Sequence, residues 1–398
     1  MYKFRKLTDA DIKGKTVVVR ANLDVPLDEY GEIVDDTRIK ASIPTYEYLL
    51  KQNCKIVVIG HLGRPNGKYV DELSLFPVRF ALGKLLGIQI KFTQLESCAN
   101  SIKYMNPGEI TMIENLRFDP REESKNENER REYLKILTEL CDVYVNDCFG
   151  VYKKHASVYD LPQMMESYAG FSIINEVENL NKLKEESKSP FVGIFGGAKI
   201  EDKIPVIEKF LNKVDTILLG GAMAYTFLKA QDINVGKSKT QDDLLDVARD
   251  ILTKAQNSKT EIILPIDHLA SDSFDSEAKV IEIQNQNIPD NLVGMDIGPK
   301  TTVMYREIIE SAQTVLWNGP MGVFEFENFN KGTESIGEFI ALGTPKGAYK
   351  VAGGGDTILA MQKLKIKPSR FNHVSVGGGM MMQFLSNDEL EVLKILSE

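Results

Sequence analysis

The sequence is poor in cysteine, tryptophan and histidine, and it has no long apolar run. Its 398 residues include four cysteines, one tryptophan and four histidines. Cys54, Cys98, Cys141 and Cys148 lack metal-site spacing, so we expect reduced, mostly structural thiols. No apolar run of about 18 residues occurs, and the basic start precedes no apolar segment, so we expect a cytoplasmic protein that does not associate with membranes.

Two common phosphate-binding motifs are also missing. A Walker A loop needs a glycine five positions before Gly236-Lys237-Ser238, but Gln231 stands there. The dinucleotide fingerprint fails as well, because Ile358 and Met382 occupy the places of its third glycine after the two candidate glycine turns. These absences argue against a P-loop NTPase and against an ordinary NAD-binding fold.

The net charge and the chain length further limit the possible partners and the number of domains. The net charge is −9, which argues against nucleic acid as a partner. A hydrophobic content of 43% over 398 residues is ample for two or three domains with sizeable cores.

The second half of the chain alternates short apolar runs with segments of helical period. The apolar runs end in glycine or asparagine, at 191–197, 216–221, 314–319, 349–355 and 373–379. This alternation predicts an α/β fold with a parallel sheet. Ligands of such sheets bind beyond the carboxyl ends of the strands. We therefore expect one crevice to collect Lys199, Asn318, Glu325, Asp356 and the glycine turn at 377–379.

The most informative of these runs ends in Gly353, Gly354 and Gly355, followed by Asp356 and Thr357. Glycines allow a ligand to approach the backbone closely, and a helix N-terminus attracts phosphate. A magnesium ion beside the phosphate would use Asp356. A tight turn capped by Asp356 is the alternative interpretation of this stretch taken alone.

Strand ends in the first half carry cationic side chains instead. The predicted strands at 17–20, 56–60, 111–113 and 143–145 lead into segments that contain Arg20 or Arg64, His61 and Arg117, and Arg38 lies nearby. Each residue alone is typical of a surface charge or a structural histidine. Together they predict an anion pocket, because guanidinium groups bind carboxylate and phosphate bidentately. Residues 119–131 are predicted to be a solvated loop and helix face without a function.

The ordered motifs resemble those of the phosphoglycerate kinase family, from the first strand to about Leu385. The resemblance implies two Rossmann-like three-layer domains with parallel sheets, joined by an interdomain helix and closing about a hinge. The motifs that carry it lie at 36–39, 61–65, 114–118, 196–203, 220–229, 296–300, 317–325, 353–357 and 373–379.

The same resemblance implies how the chain is divided. Residues 1–165 would form an N-terminal domain that binds 3-phosphoglycerate, and 166–186 the interdomain helix. Residues 187–383 would form a C-terminal nucleotide-binding domain, and 384–398 a tail that returns to the N-terminal domain. A monomer is expected.

The implied roles of individual residues follow the motifs. The implied catalytic residues are Arg38, Lys203 and Gly378, and Asp356 would hold Mg²⁺. The acceptor, 3-phosphoglycerate or 1,3-bisphosphoglycerate, would be bound by Asn22, Asp24, Arg38, His61, Arg64, Arg117 and Lys153. The nucleotide, ATP or ADP, would be bound by Gly197, Ala198, Lys199, Lys203, Gly221, Asn318, Glu325, Gly354, Gly355, Asp356 and Thr357.

Two departures from the family pattern concern the acceptor site. Asn22 and Asp24 are exchanged relative to the usual order, and we expect them to share one ligand because residues two apart on a strand face the same side. The segment 149–155 is one residue shorter and lacks an arginine, which Lys153 or Lys154 would replace. An impaired family member that only binds nucleotide, and a nicotinamide dehydrogenase on a similar scaffold, remain the alternative functions.

Overall fold

The computed structural model describes residues 2–201 and 203–397, which form two compact units. The first unit contains the residues up to Glu178 and those from Asp388 onward, and the second is Asn179–Asn387. Each unit has its own parallel six-stranded sheet, so the predicted α/β class with two parallel sheets is confirmed.

The first unit is built on a sheet with the strand order β3-β4-β2-β1-β5-β6. Its central strands are runs of β-branched residues buried on both faces, as parallel sheets covered by helices require. The strands are β1 (Thr16–Ala21), β2 (Lys55–Ile59), β3 (Ile90–Thr93), β4 (Ile110–Ile113), β5 (Val143–Asp147) and β6 (Ser167–Ala169).

Helices cover this sheet and bury a core that includes Val17, Val19, Ile56, Val58 and Leu82. Short 3₁₀ turns connect several strands to them, and a π-helical turn, Ala156–Asp160, precedes the fifth helix. The helices are α1 (Thr37–Lys51), α2 (Phe76–Leu86), α3 (Cys98–Lys103), α4 (Glu127–Leu140) and α5 (Leu161–Met164). A sixth helix, α6 (Phe171–Glu185), begins in this unit, and its residues from Asn179 onward belong to the second.

The second unit repeats the arrangement with the strand order β15-β14-β13-β7-β8-β9. A separate antiparallel sheet, β11-β10-β12, was not expected from the sequence. The strands are β7 (Phe191–Phe195), β8 (Thr216–Leu219), β9 (Glu261–Ile263), β10 (His268–Ser271), β11 (Ile281–Ile283), β12 (Val293–Ile297), β13 (Thr314–Asn318), β14 (Tyr349–Gly353) and β15 (His373–Ser375).

The core of the second unit lies between its sheet and its helices, around Trp317, Ile194, Val315 and Ile336. Trp317 is fully buried and donates its indole N–H to the Gly319 carbonyl, 3.0 Å away. The helices are α7 (Ile204–Phe210), α8 (Gly221–Ala230), α9 (Leu245–Gln256), α10 (Pro299–Ser311), α11 (Lys331–Glu338), α12 (Gly355–Lys363) and α13 (Gly379–Ser386), and a last short helix, α14 (Glu391–Lys394), belongs to the first unit.

The structure corrects the helix predicted at 166–186. Ser167–Ala169 pair with β5 as the edge strand β6, and the helix begins only at Phe171. Three residues that complete a sheet edge are too few to show a periodicity of their own, so the sequence pattern merged them with the helix.

Two further features bear on the expectations from composition. All four cysteines are free and buried, as expected for structural thiols. Among residues 2–201 and 203–397, no helix combines the length and the apolar character that crossing a bilayer requires.

Candidate functional site

The candidate site of the first unit begins with a fully buried arginine. Arg20 is in β1, next to its carboxyl end, and has no exposed surface. Its Nε donates to Ser157 Oγ at 2.9 Å, its Nη1 to the Ala21 carbonyl at 2.5 Å, and its Nη2 contacts His61 Nδ1 at 2.8 Å. Every arm of the guanidinium therefore has a protein partner, and Arg20 acts on neighbouring side chains.

His61 follows β2 and is 3% exposed. Burial lowers the pKa of His61 well below its usual value, and the positive charges of Arg20, Arg117 and Arg38 lower it further. His61 is therefore neutral at physiological pH. Its Nε2 lies 3.9 Å from Asp24 Oδ2, on the side of the ring opposite Arg20.

Arg38 enters the same region from the first turn of α1. Its Nη1 donates to both the carbonyl and the carboxylate of Asp24, the latter at 3.2 Å. The other carboxylate oxygen of Asp24 accepts from the Gly63 N–H at 2.8 Å. Asp24 thus joins β1, α1 and the loop after β2, and it holds Arg38 beside His61.

Arg117 and His155 share a carboxylate partner on the other side of this region. The Arg117 Nε lies 3.1 Å from Glu123 Oε1, and the Arg117 Nη1 donates to the Gly63 carbonyl at 2.8 Å. His155 Nε2 lies 3.4 Å from the same Glu123 oxygen. Burial and the charges of Arg117 and Arg20 lower the pKa of His155 to about 3.

A basic pocket of about 520 Å³ adjoins Glu123 and His155. Lys153 is exposed and forms no ion pair with any residue in the described ranges. Lys154 pairs with Glu391 and lies 4.8 Å from the ring centre of Tyr159. The pocket is lined by Glu123, Ser124, Lys125, Arg130, Lys153, Lys154 and His155.

Two other residues that were predicted to bind the phosphoryl acceptor have contrasting environments. Arg64 is exposed in the loop after β2. Asn22 is 2% exposed, and its Nδ2 has no hydrogen-bond partner within the described part of the chain. Gly150 leaves room for this amide, because a Cβ there would come within 3.2 Å of it. A buried amide nitrogen without a partner is costly, so Asn22 is a group to which a ligand can bind.

The site of the second unit is built mainly from backbone. Gly354 caps α12 with a φ of +104°, a conformation that L side chains rarely adopt. The Asn318 amide and the Thr357 hydroxyl both donate to the Gly353 carbonyl, at 2.7 and 2.9 Å. Thr357 also accepts from the Gly319 N–H at 2.8 Å and is fully buried, so its hydroxyl shapes the turn.

Strand ends approach one another closely in this unit. The Gly197 N–H donates to the Pro320 carbonyl and the Gly221 N–H to the Met321 carbonyl, each at 2.8 Å. A Cβ on Gly221 would lie 2.5 Å from the Gly197 nitrogen, so only glycine fits. Ala198 and Lys199 are exposed beside this contact, and Lys203 Nζ lies 3.5 Å from the Lys199 carbonyl.

Gly378 caps another helix that starts with glycine, α13, with a φ of +52°. Gly355 and Asp356 are exposed in the first turn of α12, and a Cβ on Gly355 would meet no atom within 4 Å. The carboxylate of Glu325 is exposed, while its backbone carbonyl accepts from Lys363 at 2.5 Å. Open space in front of a helix N-terminus is what a phosphate group requires.

Sequence reasoning missed several buried residues of the first site. Residues 119–131 were expected to be solvated, yet Glu122 is fully buried and Arg130 is 5% exposed. Glu122 accepts from Ser157, and Arg130 forms an ion pair with Asp160 at 2.5 Å. The segment is rich in charge, and the sequence does not show which of its charges find partners from distant elements.

Two α/β units, one with arginines and the other with glycine-started helices at the carboxyl ends of parallel strands, define a two-domain α/β protein in which each unit presents groups suited to bind anions. The sequence profile described as phosphoglycerate kinase matches residues 7–388, and the chain belongs to this family.

Relatives with that name cover almost the whole chain. A phosphoglycerate kinase of Elusimicrobium minutum is 40% identical over 398 residues, which are 99% of this chain and 98% of the relative. A phosphoglycerate kinase of Thermosipho africanus is 42% identical and covers 97% of this chain and 96% of its own. Among solved structures, the enzyme of Pyrococcus horikoshii matches with a TM-score of 0.87 and 31% identity, covering 100% of this chain and 98% of its own.

Proposed function

We propose that this chain transfers a phosphoryl group reversibly between 1,3-bisphosphoglycerate and ADP, giving 3-phosphoglycerate and ATP. The observation that carries the proposal is the presence of two different anion sites in one chain of the phosphoglycerate kinase family. The first offers arginine and histidine side chains, and the second offers helix N-termini. A small phosphorylated acid suits the first site and a nucleotide polyphosphate the second.

The acceptor carboxylate needs no base. A carboxyl group has a reference pKa of roughly 4 and is ionised at neutral pH, so the protein has only to position it and to compensate charge. His61, Asn22 and Asp24 lie where they can bind the carboxylate and hydroxyl of the acid. Arg64, Arg117 and Lys153 would bind its phosphate.

Lys153 is the better candidate of the two adjacent lysines. Lys154 already pairs with Glu391 and lies against Tyr159, whereas Lys153 lines the basic pocket and has no carboxylate partner in residues 2–201 and 203–397. We therefore propose that Lys153 binds the acceptor phosphate and that Lys154 anchors the loop.

The nucleotide phosphates would approach the exposed first turns of α12 and α13. The backbone N–H groups after Gly354 and Gly378 would donate to them, and the helix dipoles would favour their charge. Lys199 and Lys203 would add positive charge, and Glu325 would bind a hydroxyl of the sugar. Thr357 and Asn318 hold the turn in shape through the Gly353 carbonyl.

Asp356 fits a magnesium ion that also binds phosphate. Among the residues that the structure describes, no group of three His, Cys, Asp or Glu side chains is placed to hold a metal ion. Mg²⁺ is usually held by one or two carboxylates together with substrate phosphates and waters, and Asp356 is an exposed carboxylate beside the open space at Gly355. Bound there, the ion would neutralise phosphate charge.

The transfer itself would be assisted by positive charge from both units. Arg38 belongs to the first unit, and Lys203 and Gly378 belong to the second. In this proposal, hinge closure brings them to the transferring group and excludes water. A monomeric state and a cytoplasmic location remain predictions, which size-exclusion chromatography and cell fractionation would check.

The test is ADP production by the purified protein with ATP, Mg²⁺ and 3-phosphoglycerate. We expect ADP release only when all three are present, and GTP in place of ATP would show the nucleotide preference. Folded protein that releases no ADP with either nucleotide, but still binds ADP, would favour the impaired binding protein. An absorbance assay for NADH turnover would test the dehydrogenase alternative.

A further inference from the structure

Four buried side chains form a continuous hydrogen-bonded chain behind the acceptor site. Glu122 Oε1 accepts from Ser157 Oγ at 2.5 Å, and Glu122 Oε2 accepts from the Ser157 N–H at 3.1 Å. Ser157 Oγ accepts from Arg20 Nε at 2.9 Å, and Arg20 Nη2 contacts His61 Nδ1 at 2.8 Å. Glu122, Ser157 and Arg20 are fully buried, and His61 is 3% exposed.

The direction of the hydrogen bonds that Arg20 makes in this chain is determined. A guanidinium group only donates, so His61 Nδ1 must accept and cannot carry a proton. Ser157 Oγ accepts a hydrogen bond from Arg20 Nε and donates its own O–H to Glu122. The ring proton of neutral His61 is therefore on Nε2, which lies on the side of Asp24.

Burial and nearby positive charges act in opposite directions on the pKa of Glu122. Burial raises the pKa of Glu122 to about 7, while Arg20 and the hydrogen bonds from Ser157 oppose the rise. Arg117 also faces this carboxyl and lowers its pKa. Glu122 is thus a buried carboxyl that Ser157 connects to the buried guanidinium of Arg20.

We propose that Glu122 and Ser157 are positioning residues that fix the Arg20 guanidinium and, through it, hold His61 as the neutral tautomer protonated at Nε2. An Nε2–H group donates to the carboxylate of the substrate acid, whereas the other tautomer would present a lone pair that repels this carboxylate. The effect of the His61 tautomer on catalysis depends on the proposed function of the acceptor site. The tautomer itself does not depend on that proposal.

Two conservative changes interrupt the chain at different points. Ser157→Ala removes the acceptor of Arg20 Nε without adding bulk. Glu122→Gln keeps the shape but offers one amide oxygen to two donors, the hydroxyl and the N–H of Ser157. Ser167→Ala is a matched control, because Ser167 is also a fully buried serine that accepts from an arginine, Arg5 Nη2, at 2.9 Å.

The readout is the ¹⁵N chemical shifts of the histidine rings in the full-length protein, with His61 assigned from the signals lost in His61→Gln. We expect an unprotonated Nδ1 and a protonated Nε2 in the parent protein and in Ser167→Ala. In Ser157→Ala and Glu122→Gln, Nδ1 should become partly protonated. The KM for 3-phosphoglycerate should rise roughly tenfold in both, with a smaller change in kcat.

The inference is overturned if His61 keeps the same tautomer in both folded variants, or if the parent protein already has Nδ1 protonated. Folding is checked by the thermal midpoint and by the signals of the other three histidines. If the protein has no kinase activity, the ring shifts still decide the question. Altered ring shifts with an unchanged KM would overturn the link to acceptor binding.

Discussion

In the proposed function, the two units would bind anions by different physical means. In the first, positive charge comes from side chains such as Arg38 and Arg117, which are positioned by Asp24 and Glu123. In the second, it comes largely from backbone N–H groups at the starts of α12 and α13, where Gly354 and Gly378 adopt positive φ. Buried side-chain charges need several partners, whereas a helix start needs only room.

In this proposal, the first unit is selective for one acid, and the second unit tolerates different phosphate groups. In the proposed function, paired guanidinium groups and a fixed histidine tautomer would define where each oxygen of a small acid can lie. Backbone N–H groups would donate to any phosphate that fits the opening. We therefore expect substitutions in the first unit to change which acid is used, and those in the second to change how tightly the nucleotide binds.

The largest expected effect belongs to Arg38→Ala. If Arg38 compensates charge that develops during transfer, turnover should fall by about a thousandfold while ADP affinity hardly changes. Steady-state kinetics and calorimetric ADP titration would measure the two quantities. Lys40→Ala is the control, because Lys40 is an exposed cation on the same helix that pairs with Asp36. Near-normal turnover with weakened ADP binding would contradict the assignment.

The next effect distinguishes the two adjacent lysines. Lys153→Ala should raise the KM for 3-phosphoglycerate roughly tenfold, the size expected for one lost charge-assisted hydrogen bond. Lys154→Ala and Glu391→Gln should change it much less, because they break an exposed ion pair outside the ligand contact. Initial rates at varied acceptor concentration test this. A larger KM for Lys154→Ala would reverse the roles of the two lysines.

Substitutions of two neighbouring glycines test whether the nucleotide phosphates bind at the start of α12. Gly355→Ala should leave the thermal midpoint unchanged and weaken ADP binding about fivefold, because its Cβ would project into open space at the helix start. Gly354→Ala should lower the midpoint as well, since its φ is +104° and its Cβ would lie 2.7 Å from Asn318 Nδ2. Unchanged ADP affinity in Gly355→Ala would place the phosphates elsewhere.

The smallest effect concerns pH. The pKa of His155 is lowered to about 3 from an ordinary 6.5, so its contribution to stability is present above pH 6.5 and is lost as the pH falls toward 3. His155→Gln should remove this contribution and flatten the pH dependence of unfolding in the first unit. Denaturant unfolding between about pH 4 and 7, which covers most of the range between the two pKa values, measures the contribution of His155.

His268→Gln provides the counterpart in the second unit, where burial lowers the pKa of His268 to about 4. The same sign applies, so its contribution is lost as the pH falls from 6.5 toward 4. If the two units unfold in separate transitions, each substitution should alter only its own. An unchanged pH profile in both variants would show that neither histidine is kept neutral by burial.

The sequence predicted the two sites unequally, and the physical difference explains why. The glycines around Gly354 and Gly378 lie within a few residues of the helices that they start, so a local pattern shows the site. The partners of Arg20 are 41 and 137 positions away in the chain. Glu122 lies in a highly charged segment, and only tertiary packing selects it for burial.

Other parts of the fold were predictable to the extent that they were periodic. The central strands are apolar runs that end at glycine, asparagine or arginine, and these were found. The edge strand β6 has three residues, and the strands of the sheet β11-β10-β12 have only three to five residues each. Strands this short are too brief to show a clear period in the sequence.

The central claim, that the acid and the nucleotide bind to different units, is tested most directly by mapping each ligand separately on the full-length protein. We predict that 3-phosphoglycerate alone shifts the NMR signals of His61, Gly63 and the loop at 151–155, and leaves those of Gly355 and Gly379 unchanged. Mg·ADP alone should do the reverse. Perturbation of the α12 and α13 glycines by 3-phosphoglycerate, with His61 unaffected, would contradict the account.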